Sequence, residues 1–147
     1  MRLTPHFTFE EMTHSQTAAR LGIRNLPSNE SLHRLKITCQ KLEIVRGIVG
    51  KPIIVLSGFR SKELNFAVGG SKNSQHMVGE AADIICPSYG SPFQLAKTIK
   101  ENMYHIGVDQ MIYEFRHWVH ISFSRYPRGQ LLTIHSRQEG YKAGLFI

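Results

Sequence analysis

The stretch SQHMVGEAADI, residues 74–84, constrains the fold more than any other part of the chain. Asp83 stands between Ala81-Ala82 and Ile84-Ile85, in an apolar run that reads as a short buried strand. An ionised carboxylate taken out of water there is costly unless another group compensates it. The fold must therefore bring a partner to Asp83. His76, seven positions earlier at the end of a polar, Gly-rich loop, is the first candidate.

The surrounding elements can be read from periodicity and punctuation. Thr8-Phe9-Glu10-Glu11 has the form of a capping box opening a short helix, and SQTAARLG offers another helical turn or two stopped by Gly22. Leu32, Leu35, Cys39, Leu42, Val45 and Val49 recur at steps of three and four. They predict a helix of about five turns, capped by Ser28 or Ser31 and ended by Gly50. Pro52 to Leu56 suits a buried strand that delivers Ser57-Gly58-Phe59-Arg60, and Ser61 can cap a brief helix through Leu64 and Val68. Ser91-Pro92 starts a helix running to about Met103. Met111 to Phe115 and Trp118 to Phe123 read as a hairpin, with Leu131 to His135 as a further strand. Helices and strands without regular βαβ alternation indicate an α+β fold with an antiparallel sheet, in one domain over residues 1–147.

No apolar stretch is long enough to cross a bilayer, so membrane insertion is not expected. The N-terminal MRLTPHFTFE lacks the apolar core of a signal peptide, and the expectation is synthesis in the cytoplasm. Cys39 and Cys86 share no motif spacing and read as buried free thiols. The net charge of +7 favours a polyanionic partner. The basic residues are scattered and form no nucleic-acid-binding signature, which argues against nucleic acid as that partner.

Most of the eight histidines stand alone in polar contexts. His76, His117 and His120 differ, because each lies at a predicted strand edge near polar or acidic groups. A catalytic zinc takes three protein ligands and leaves a position open for water. His76, Asp83 and His120 can supply that set if the strands bearing Asp83 and His120 pair. The spacing equally allows Asp83 to cap a turn or pair with Arg60 while the histidines merely pack.

Three segments carry a resemblance that decides between these. SGFRS (57–61), LNFAVGGSKNSQHMVGEAADI (64–84) and QMIYEFRHWVHISF (110–123) resemble the zinc peptidases of peptidoglycan, which include D-Ala-D-Ala carboxypeptidases and phage L-alanyl-D-glutamate endolysins. FTFEEMTHSQTAARLGIRN is similar to the small phage-type branch. The resemblance implies the α+β fold of that family, with zinc held at the sheet by His76, Asp83 and His120. It implies substrate contact at Ser74, whose other reading is a turn-forming serine. Arg60 is implied as the residue that faces the substrate carbonyl and stabilises the oxyanion.

The general base is less clearly marked. Several branches carry an acidic residue three positions before the last ligand, where this chain has His117. Glu114 matches the acidic residue of the YEF-x-x-WVH stretch and could face the metal across a tight hairpin, with His117 as the other candidate. Trp118 reads as a core or cleft-wall aromatic. The expected protein is a monomeric zinc peptidase acting on peptidoglycan stem peptides, phage or prophage encoded, reaching the wall after release or as a virion component. The alternative is a catalytically silent peptidoglycan-binding module of the same fold.

Overall fold

A computed structural model describes residues 1–147. Two short strands, β1 (Arg2–Thr4) and β2 (Phe7–Thr8), pair antiparallel and lead into α1 (Phe9–Thr13), whose capping box is closed by Thr8 and Glu11. α2 (Gln16–Leu21) ends at Gly22, and α3 (Asn29–Val49) runs between its Ser28 cap and Gly50. Then come β3 (Ile54–Ser57), α4 (Lys62–Ala67), a 3-10 turn (Gln75–Val78) and β4 (Ala81–Ile85). α5 (Pro92–Glu101) and α6 (Met103–Ile106) precede β5 (Gln110–Glu114), β6 (Trp118–Ser122), β7 (Gln130–Ile134) and β8 (Tyr141–Ala143).

Six strands form one sheet in the order β3-β4-β6-β5-β7-β8. Every neighbouring pair is antiparallel except β5 and β7, which run parallel with Ile112 beside Leu132. The expected antiparallel sheet is thus present with one parallel seam. β6 is already paired with β5 on one side and β4 on the other, so β7 cannot pair with it and joins instead at the free edge of β5. The predicted helix to Met103 breaks at Asn102, whose side chain donates to Thr98 O, and restarts as α6. β1, β2 and β8 are too short to announce themselves by alternation.

The sheet's two faces divide by the two-residue period of its strands. Met111, Tyr113, Val119, Ile121, Ala82 and Ile84 point into a cluster of 22 buried residues. Leu35, Cys39, Leu42, Val45 and Val49 of α3, with Leu95, Ala96 and Ile99 of α5, fill the other side of that cluster. Both cysteines are buried and unpaired. The alternate residues Gln110, Ile112, Glu114, Trp118, His120, Leu132 and Ile134 face a cleft. One face therefore builds the core and the other is left to the site.

Candidate metal centre and cleft

The strand ending at Ser57 meets a close approach that only glycine permits. A Cβ on Gly58 would lie 2.4 Å from the Met12 carbonyl oxygen, and the Phe59 N–H donates to that same carbonyl at 2.7 Å. Asn25, buried at the back, donates to Thr13 O and Phe59 O and accepts from the Ser61 N–H. These bonds fix segment 57–61, and the Gly58 carbonyl is left facing His76 Nδ1 at 2.7 Å. The Arg60 N–H in turn donates to His76 O at 3.0 Å. The turn bearing His76 is capped by Ser74, whose Oγ accepts the His76 N–H, and ends at Gly79 in the left-handed region. A side chain at Gly79 would strike Ser31 O at 2.4 Å, so this turn lies hard against α3.

Asp83 and His120 are directly opposite each other across the β4–β6 ladder. His120 Nδ1 lies 3.0 Å and His76 Nε2 3.3 Å from Asp83 Oδ1, and the three donor atoms all fall within 4.8 Å. The hydrogen-bond chemistry fits a cation site. A carbonyl only accepts, so Gly58 O requires the proton on His76 Nδ1, which leaves the Nε2 lone pair facing a carboxylate oxygen. Two acceptors face each other unless a positive charge stands between them. A second proton on His76 is opposed by burial, since the side chain is 1% exposed and burial pushes the imidazole down despite the pull of Asp83. Burial alone would raise the Asp83 carboxyl, but His76 and His120 hold it well below the usual carboxylate range. Two imidazoles and one carboxylate, with a carbonyl orienting one of the rings, form a donor set suited to zinc.

Glu114 is placed by register. It pairs with Trp118, two residues before His120 on the neighbouring strand, and so shares the cleft face with the cluster. Trp118 Nε1 donates to Glu114 Oε2 at 3.1 Å. Burial raises the Glu114 carboxyl to about 7, with Asp83 adding to the rise and His120, Trp118 and Arg60 opposing it. Arg60 lines the same cleft with its Nε buried and without a partner. Burial lowers its pKa, whereas the charges of Asp83 and Glu114 on the same cleft raise it. His117 is not brought to this group. It is exposed in the turn between β5 and β6, and its chain position three before His120 faces it away from the cleft lining.

Two buried polar residues escaped the sequence reading. Asn25 carried no motif signal. Asp109, 2% exposed, receives Arg128 through Nε, Nη2 and the backbone N–H, and also accepts from Gln75 Nε2 at 3.0 Å. It ties the β6–β7 loop to the residue preceding His76. An aspartate at the head of an apolar strand, the same pattern that singled out Asp83, was its available signal.

The cleft holds about 1530 Å³, above the range of small-molecule pockets, and so has room for a stretch of polymer. Its walls include the loop after α4, from Gly69 to Ser74, and the β7–β8 hairpin. A model of the peptidase M15 family matches residues 5–122. Over 55 residues, 37% of this chain, the sequence is 49% identical to the zinc D-Ala-D-Ala carboxypeptidase of Streptomyces albus G. That match spans only 22% of the relative's length.

Proposed function

We propose that this chain, which belongs to the peptidase M15 family, is a zinc-dependent hydrolase of an amide bond in peptidoglycan stem peptides. The observation that carries this reading is the lone pair of His76 Nε2 held against Asp83, with His120 beside them and Glu114 and Arg60 on the same cleft. His76, Asp83 and His120 would hold the ion. Zinc bound there supplies Lewis acidity and brings a water's pKa toward neutrality. The relative's name supports a carboxypeptidase acting at D-Ala-D-Ala.

The protein's own groups account for the remaining chemistry. The Arg60 guanidinium, carried on a backbone anchored by its N–H bond to His76 O, donates to the substrate's carbonyl oxygen as charge develops on it. Glu114, kept near neutrality and oriented by the Trp118 N–H, takes a proton from the attacking water on a carboxylate oxygen. It then returns the proton to the leaving amine. Ser74 positions the metal-binding turn and lines the substrate path. His117 has no part in this scheme.

The resemblance of residues 7–25 to small phage-type enzymes supports a finer reading, a lytic factor of phage or prophage origin that meets the wall after release or with a virion. The test is digestion of purified peptidoglycan with and without chelator, followed by mass spectrometry of the fragments. New amino termini that vanish with chelator are expected, and their masses name the bond. A metal-loaded protein that releases none would be a binding module instead.

A further inference from the structure

Three arginines line the cleft, and their surroundings differ. Arg60 lies in the field of Asp83 and Glu114. Arg128 is occupied by the bidentate pair with Asp109. Arg137, in the β7–β8 turn, makes no ion pair or hydrogen bond of its own, yet it is not simply directed into solvent. A methyl group at Gly69 would lie 3.9 Å from Arg137 Nη2, so the guanidinium reaches over the cleft toward the loop after α4.

The register locates this end of the cleft. Glu114, Ile134 and Tyr141 form one row across β5, β7 and β8. This row lies at the strand ends beside the β7–β8 turn that bears Arg137, and Glu114, Arg137 and Tyr141 all line the cleft. The only acids lining the cleft are Asp83 and Glu114, both beside the histidines. Neither of them forms an ion pair with Arg137, whose fork of N–H donors is left free.

Resting on the peptidase reading above, we propose that Arg137 is a specificity residue that binds a free carboxylate of the stem peptide, reaching it from the β7–β8 turn opposite Gly69. An arginine reads a carboxylate through two parallel N–H donors, which lysine cannot reproduce. A stem peptide with lysine at its third position offers two such groups, its C-terminal carboxylate and the α-carboxylate of its internal glutamyl residue.

Trp118, the chain's only tryptophan, lines the cleft and serves as the reporter. Synthetic stem peptides with both carboxylates free, with the terminal one amidated, or with the internal one amidated are mixed rapidly with zinc-loaded protein. Binding is read from Trp118 fluorescence before turnover. Wild type should bind one amidated peptide on the order of tenfold more weakly than the free acid, as expected for a hydrogen-bonded charge. Arg137→Ala should bind both alike, with Arg137→Lys between them and thermal stability unchanged. The amidation whose cost disappears names the carboxylate. Affinities that Arg137→Ala leaves unchanged, including no measurable affinity in either protein, overturn the assignment. Acid preference without hydrolysis in any protein would instead sink the hydrolase reading and leave Arg137 as a carboxylate binder.

Discussion

Glu114 illustrates how one side chain's surroundings set its use. Its carboxyl is raised from the ordinary 4.5 to about 7 by burial and by Asp83. In metal-free protein the neutral form is favoured in the fold, so its contribution to stability is fully present below about 4.5 and is lost as pH climbs through about 7. Glu114→Gln should remove that part of the stability slope, measured by denaturant melts of chelated protein between pH 4 and 8. A slope unchanged by the substitution would refute the burial-driven shift. In the loaded enzyme the same variant should lower kcat by roughly 10²- to 10⁴-fold, the usual range for a positioned base, while keeping its metal. Arg60→Ala should lower kcat by roughly 10²- to 10³-fold with little change in zinc content. Metal analysis beside steady-state kinetics separates these from loss of the site.

Among the elements, the β5–β6 hairpin is the strained one. Phe115 and Arg116 both have positive φ, 54° and 62°, in the turn that carries the chain from Glu114 back to Trp118. A side chain in that region costs about 1–2 kcal/mol, part of which glycine's greater unfolded freedom offsets. Arg116→Gly should therefore stabilise the fold by up to about 1 kcal/mol in a denaturant titration, and a loss of stability would show that its contact with His135 outweighs the strain. This hairpin also marks what the sequence could reveal. His76, Asp83 and His120 were candidates because a carboxylate in an apolar strand demands a partner, and the family resemblance chose them over a pair with Arg60; α3 was visible because six apolar residues keep one helical face. Glu114 was named through the resemblance, but its place on the face of the histidine cluster depends on a strand register that a turn of two bulky residues in the left-handed region gives no means of reading. Asn25 and Asp109 act through backbone groups and loops far away in the chain, and no local pattern encodes those contacts.

For the whole molecule, the metal cluster is a joint between distant segments. His76 follows α4, Asp83 lies on β4 and His120 on β6, so one ion would cross-link the loop to the centre of the sheet. Zinc at 1,000 times its dissociation constant adds about 4 kcal/mol to stability. For a chain of this size that raises Tm by roughly 8–16 °C. Calorimetric scans with zinc and with chelator should show this shift in wild type and none in Asp83→Ala; an equal shift in the variant would move the ion elsewhere.

The parallel seam between β5 and β7 has an evolutionary consequence. The family match ends at residue 122, and beyond it Leu132, Ile134, Arg137 and Tyr141 are cleft wall laid beside the histidine cluster, while Leu131 and Leu145 pack on the core. The β7–β8 turn is the graftable part: exchanging residues 135–140 between relatives would change which side chains meet the cleft while the Arg128–Asp109–Gln75 tie beside His76 stays in place.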